Sequence, residues 1–126
     1  MRVHGDEMSI AAKLAGSPRL TQLQAKKVEE IAQRIANIAN PQRILLFGSG
    51  ATGAFGADSD LDFLVIVQGP VHRRRLEQQI YSNLHGVGIS VDVIVATDED
   101  IAKYGDLIGT IYRPALREGL VVYDAR

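Results

Sequence analysis

The chain has 126 residues, no cysteine and a formal net charge of −1, and 46% of its residues are hydrophobic. This length and composition predict one soluble globular domain. The near-neutral charge disfavours broad binding of nucleic acid. The lack of cysteine excludes disulfides and thiolate zinc sites. No apolar run reaches the roughly 18 residues of a membrane span, and no signal-peptide pattern is present, so we expect a cytoplasmic protein.

The N-terminal third is predicted to be helical. Residues 8–15 favour a short helix, and a longer helix is predicted from Thr21, a plausible N-cap, to the Asn40-Pro41 stop. Its buried face is marked by apolar residues three and four positions apart: Val28, Ile31, Ile35 and Ile38. We interpret residues 1–40 as an N-terminal helical extension and residues 41–126 as the main domain.

Four segments predict strands. Arg43–Phe47 and Leu61–Val67 are short apolar runs typical of buried strands, and a loop of small residues, Gly48–Gly56, separates them. Ile89–Ala96 predicts a third strand and Leu120–Tyr123 a fourth. None of these runs is long enough to be a separate domain.

Two helical segments complete the pattern. His72–His85 predicts a charged helix, which Gly86 ends. Thr97 and Asp100 have the spacing of a capping box, which predicts that another helix begins there. That helix is expected to kink or restart at Pro114 and to end at Gly119. The fold class is therefore mixed α/β (α+β), with a sheet of about four strands and helices packed on one face.

The small-residue loop after the first strand is a candidate anion site. Glycines let backbone N–H groups approach a ligand, and a helix starting near Ser49 would point its free N–H groups at a phosphate. The candidate binding residues are Gly48, Ser49, Gly50 and Thr52. The alternative is a tight turn in which Ser49 is only a helix N-cap, and the Gly-Lys-Ser/Thr ending of a P-loop is absent.

Paired carboxylates follow that loop. Asp60 and Asp62 are two residues apart at the start of a strand, which places them on one face about 6.6 Å apart. Two such charges repel unless a cation lies between them, and carboxylate oxygens suit Mg²⁺ or Mn²⁺. A solvated acidic turn is the alternative, although Asp62 lies between two apolar residues.

A third carboxylate, Asp92, lies inside an apolar strand. A carboxylate there is costly to bury without a partner. Either its face of the strand is exposed, or it pairs with an arginine, or it belongs to a site. Together with Asp60 and Asp62 it could hold two divalent ions roughly 3.5–4 Å apart, an arrangement suited to in-line displacement at phosphorus.

These motifs resemble a known family. Gly48-Ser49, ten residues, and then Asp60-Leu61-Asp62 before an apolar strand is similar to the signature of the DNA polymerase β-like nucleotidyltransferase superfamily. The likeness is to the minimal nucleotidyltransferases, short relatives of kanamycin nucleotidyltransferase, and it extends to Asp92 and to the segment 112–123. The resemblance covers roughly residues 43 to 123.

The resemblance implies the nucleotidyltransferase fold and a reaction. A nucleoside monophosphate, commonly AMP from ATP, would be transferred to a hydroxyl. Gly48 and Ser49 would bind phosphate, Asp60 and Asp62 would hold both metals, and Asp92 would hold one metal and help to activate the acceptor. Many minimal members resemble antitoxins paired with a HEPN-type toxin, and some are thought to add AMP to a tyrosine of it. Such a partner, or a homo-oligomer, would supply the acceptor.

One departure weakens the expectation of turnover. Many relatives carry arginine at the positions of Gly50 and Thr52, from which arginine can reach the triphosphate. Arg43 or the run Arg73–Arg75 could supply the missing charge, although such a run is more commonly a solvated helix face. A non-catalytic antitoxin-like or nucleotide-sensing subunit is therefore the alternative, and a plain α/β module with surface carboxylates is the third possibility.

Overall fold

The computed structural model describes residues 22–47, 61–105 and 112–125. The helices and strands in that part of the chain follow one another in this order: α1 (Gln22–Ala39), β1 (Arg43–Phe47), β2 (Leu61–Val67), α2 (Arg73–Ser82), β3 (Val91–Thr97), α3 (Asp98–Tyr104), α4 (Tyr112–Glu118) and β4 (Leu120–Asp124). Within these three segments, no helix combines the length and apolar character needed to cross a bilayer. The predicted helix at residues 8–15 and the predicted cap Thr21 lie outside the described residues.

The strands form one mixed sheet in the order β3-β2-β1-β4. The β1 strand is antiparallel to both β2 and β4, whereas β2 and β3 are parallel. Parallel neighbours need a crossover connection, and α2 supplies it. The predicted bounds of β1 and β2 are confirmed, and β3 is displaced by one or two residues from its predicted bounds.

The larger core lies between one face of the sheet and the two longer helices. The α1 helix contributes a buried stripe with helical periodicity: Ala25, Val28, Ile31, Ala32 and Ile35, all fully buried. Beneath it lie alternate residues of the strands, including Phe63 and Val65. The α1 helix stops at Asn40, whose φ of 47° is the left-handed conformation that commonly ends a helix, and Pro41 follows.

A smaller core lies on the opposite face. Leu45, Leu64 and Ile66 belong to it, and Ala115 of α4 and Ile101 of α3 pack against them. The predicted mixed sheet of about four strands is confirmed. The predicted packing of helices on one face holds for α1 and α2. The two short helices, α3 and α4, cover the other face. The short apolar patterns of α3 and α4 did not predict which face of the sheet these helices cover.

Two boundaries follow from local chemistry. Thr97 Oγ1 accepts from the Asp100 N–H, and the Asp100 carboxylate accepts from the Thr97 N–H, both at 3.0 Å. This is the predicted capping box at the start of α3. Gly119 ends α4 as predicted, and a Cβ at this position would lie 2.2 Å from the Ala115 carbonyl oxygen, so only glycine fits.

Candidate functional site

Two of the predicted site residues, Asp62 and Asp92, are neighbours across the parallel strands. They are direct register partners between β2 and β3. Adjacent strands lie about 4.8 Å apart, and the two residues share the face of the sheet on which Leu64, Ile94 and Ala96 lie. Residues separated by thirty positions are thus brought together near the start of both strands.

The first strand of the sheet leads to the same place. Phe47, the last residue of β1, pairs with Asp62. The chain therefore leaves β1 toward Gly48 at the end of the sheet where Asp62 and Asp92 lie, which we call the Asp62–Asp92 end. Asp60 directly precedes Leu61, the first residue of β2. The remaining predicted site residues, Gly48, Ser49, Gly50, Thr52 and Asp60, lie outside the described residues.

The two carboxylates differ in exposure. Asp62, on the inner strand β2, is half-buried, and Asp92, on the edge strand β3, is exposed. Among the described residues, the Asp92 side chain makes neither a hydrogen bond nor an ion pair, so the predicted alternative of an arginine partner is not met there. The alternative of an exposed face is met. Adjacent hard oxygen donors suit Mg²⁺ or Mn²⁺. In the described segments no group of three potential ligands gathers, and Asp60 falls outside them.

The carboxylates at the opposite end of these strands form hydrogen bonds that stabilise the fold. Asp98 Oδ1 accepts the backbone N–H groups of Gly69 and Glu99, each at 3.1 Å. Asp100 closes the capping box and also accepts from Arg73 Nη1 at 2.7 Å. We call this the Asp98–Asp100 end. The backbone bond from Thr97 is the largest cause that lowers the pKa of Asp100, and Arg73 lowers the pKa further.

Tyr112 lies beside this ion pair. Burial raises the pKa of the Tyr112 phenol, and the negative charge of Asp100 raises it too, whereas Arg73 opposes both. Arg73, Asp100 and Tyr112 thus connect the starts of α2, α3 and α4. The cluster is structural, because each polar group in it satisfies another.

The structure places two of the arginines that were candidates for triphosphate binding, Arg43 and Arg73, away from Asp62. Arg43 pairs with Ile66, four residues along β2 and roughly 13 Å away. Arg73 binds Asp100, beyond the last residue of β3, which is roughly 16 Å along the strand from Asp92. These arginines therefore do not replace the charge missing at Gly50 and Thr52.

Sequence reasoning missed how α2 protects the free edge of β3. The N–H of Val93 donates to the Tyr81 hydroxyl at 2.7 Å, and the N–H of Val95 donates to Glu77 Oε2 at 3.0 Å. Residues four apart on a helix share a face, as do residues two apart on a strand, so the two spacings match. Tyr81 is 42% exposed, and its hydroxyl lies at this edge of the sheet.

The class of the protein follows from comparison with known families. The model of the nucleotidyltransferase domain family matches residues 25–114. The chain belongs to this family, so nucleotidyl transfer is its general activity class. Among curated proteins, none shows a significant match to the sequence.

Solved structures show the same fold. A proposed nucleotidyltransferase from Sulfolobus solfataricus is 19% identical, with a TM-score of 0.55, over 79% of each chain. A toxin–antitoxin structure with AMP-PNP is also 19% identical, with a TM-score of 0.51, over 78% of this chain and 74% of the other. At this identity both likenesses establish the fold alone.

Proposed function

We propose that the protein is a metal-dependent nucleotidyltransferase that transfers AMP from ATP to a hydroxyl group of a partner molecule in the cytoplasm. The observation that carries the proposal is the pairing of Asp62 with Asp92 on one face of a nucleotidyltransferase sheet. Asp60, one residue before β2, and the segment containing Gly48, Ser49, Gly50 and Thr52 complete the proposed site.

In the proposed reaction, the acceptor oxygen attacks the α-phosphorus of ATP. A new oxygen–phosphorus bond forms while the bond from the α-phosphorus to the oxygen bridging to the β-phosphorus breaks, and pyrophosphate leaves with the electron pair. Asp92, which is exposed at the edge of the sheet, would receive the acceptor proton. Asp60, Asp62 and Asp92 would hold Mg²⁺ or Mn²⁺, which would neutralise triphosphate charge and favour ionisation of the acceptor.

The acceptor is proposed to belong to a protein partner. The described part of this chain is one small sheet with its covering helices and shows no separate acceptor-binding domain. The likeness in fold to a toxin–antitoxin structure with AMP-PNP supports a toxin as the partner. A HEPN-type toxin with a tyrosine hydroxyl as the acceptor is proposed from the resemblance of the sequence to the minimal nucleotidyltransferases. A homo-oligomer is the other source of such a surface.

Radiolabelled transfer tests this proposal. The purified chain, with ATP labelled at the α-phosphate and Mg²⁺, should release pyrophosphate and label a co-expressed toxin. The Asp60→Asn/Asp62→Asn variant should not label it. Transfer that the variant retains in full would refute the proposed roles of both aspartates.

A non-catalytic antitoxin-like or nucleotide-sensing subunit is the second candidate. It is favoured by the absence of arginine at Gly50 and Thr52 together with the remote positions of Arg43 and Arg73. This candidate predicts toxin binding that survives the Asp60→Asn/Asp62→Asn change and shows no pyrophosphate release. Robust turnover by the wild-type chain would exclude it.

A further inference from the structure

A groove of about 540 Å³ follows the outer side of β3, between the starts of α2 and α4. This volume lies within the range of pockets that bind ligands, roughly 300–1,000 Å³. Its lining combines apolar and basic side chains: Val71, Ile94 and Tyr112 with His72, Arg73 and Arg74. The groove has played no part in the site described so far.

One residue that lines the groove, Ile94, is close along β3 to the proposed site. Ile94 lies two residues after Asp92 on β3 and on the same face of the sheet, so their Cα atoms are about 6.6 Å apart. A chain segment that occupies the groove and passes Ile94 would bring its next residues to Asp92. The groove therefore leads to the carboxylate that is proposed to receive the acceptor proton.

Among the described residues that line the groove, Arg73 and Arg74 are positively charged and Glu77 is negatively charged. Arg74 is exposed and has no ion pair among the described residues. Arg73 is already paired with Asp100, and Glu77, the acidic residue of the lining, is bound to the Val95 N–H. Asp98 and Glu99 line a neighbouring pocket that shares Val71 and Arg73 with the groove. Arg74 thus remains available for an anionic group.

We infer that this groove docks an acidic polypeptide segment that carries the acceptor hydroxyl, an inference that rests on the proposed function. Val71, 38% exposed, and the half-buried Ile94 and Tyr112 would contact apolar side chains of the segment. Arg74 would contact its carboxylates. Nucleic acid fits less well, because its binding draws on a broad basic surface, whereas this chain carries a net charge of −1.

A binding measurement that needs no catalysis tests the inference. The probe is a fluorescein-labelled random copolymer of glutamate and tyrosine, titrated with the full chain and followed by anisotropy. The test variant is Arg74→Glu, and the matched control is Arg75→Glu, which makes the same charge change on the same exposed helical turn outside the groove lining. Circular dichroism confirms that both variants fold.

We expect wild-type binding, a loss of about tenfold or more in Arg74→Glu, and a loss of less than threefold in Arg75→Glu. Equal losses in the two variants would show binding by overall charge and overturn the inference. So would the absence of wild-type binding, or tighter binding of a labelled oligouridylate or of a lysine–tyrosine copolymer.

A separate measurement of ATP binding tests the proposed function. Calorimetric titration of ATP with Mg²⁺ into the same Arg74→Glu protein should match the wild type. The Asp62→Asn protein should lose nucleotide binding, which would support the proposed nucleotide site. If the same protein still binds the acidic copolymer, that result would separately support docking in the groove. Copolymer binding without any ATP binding by the wild type would reject the nucleotidyltransferase proposal and, with it, the assignment of the segment as an acceptor.

Discussion

The two ends of the β2–β3 pair carry similar aspartates in contrasting settings. At the Asp98–Asp100 end, both carboxylates accept backbone N–H groups, and Asp100 also binds Arg73. At the Asp62–Asp92 end, the carboxylates face one another across neighbouring strands, and Asp92 makes no such bond within the described residues. The first arrangement stabilises the fold, whereas the second is where we propose that a cation binds.

This difference shows what separates a structural aspartate from a functional candidate. An acidic residue that caps a helix or pairs with an arginine already has its partners, so it gains little from a ligand. Adjacent carboxylates repel one another, so a cation between them stabilises both. The residue type is the same at both ends. Asp98 and Asp100 bind backbone N–H groups, whereas Asp62 and Asp92 are paired in register on neighbouring strands.

The largest expected effect is on AMP transfer, which should depend on the Asp62–Asp92 end and not on the Asp98–Asp100 end. Asp62→Asn should lower AMP transfer by roughly 100-fold or more, as expected when one interaction with developing charge is lost. Asp98→Asn should leave transfer within about twofold, because an amide oxygen can still accept from Gly69 and Glu99. Initial rates of pyrophosphate release measure both. Similar losses in the two variants would mean that the ends do not differ in function.

The free energy of unfolding should depend more on the Asp98–Asp100 end than on the Asp62–Asp92 end. Asp100→Ala removes the capping box and the Arg73 pair, so it should lower the free energy of unfolding by about 1–2 kcal/mol. Asp92→Ala, at an exposed position, should change it by less than about 0.5 kcal/mol. Urea denaturation of both variants checks this. A larger loss at Asp92 would assign it a structural role.

The Asp98–Asp100 end should also respond to acid. The pKa of Asp100 is lower in the folded state than its ordinary value of 3.8, so its stabilising contribution is complete above that value. The contribution is lost as the pH falls from about 3.8 through the folded pKa. The stability difference between the wild type and Asp100→Asn should therefore shrink between pH 5 and pH 2, as measured by urea denaturation. A difference that stays constant would contradict the assigned bonds.

The smallest expected effect concerns the edge of β3, which runs between the two ends. Tyr81→Phe removes the acceptor for the Val93 N–H and should lower stability by about 1 kcal/mol. Amide exchange should quicken at Val93 more than at Val95, which Glu77 still holds. Hydrogen exchange followed by NMR resolves the two amides. Unchanged exchange at Val93 would show that the hydroxyl does not protect the edge.

The sequence predicted most of the sheet and part of the site. Strong apolar runs predicted β1 and β2, and residue spacing predicted the capping box of Thr97 and Asp100. Asp62 and Asp92 were grouped by their shared chemistry and by the family resemblance. Their pairing across β2 and β3 was not predicted, because strand order and register depend on long-range pairing that periodicity does not specify. The helices on the second face and the edge contacts of Tyr81 were missed for the same reason.

Calorimetric titration of ATP with Mg²⁺ tests the central claim most directly, with a double variant for each end of the strands. We predict metal-dependent binding by the wild type and by Asp98→Asn/Asp100→Asn at a temperature where both are folded, and no binding by Asp62→Asn/Asp92→Asn. Binding that survives the loss of Asp62 and Asp92, or that requires Asp98 and Asp100 instead, would contradict the assignment of the nucleotide site to the Asp62–Asp92 end.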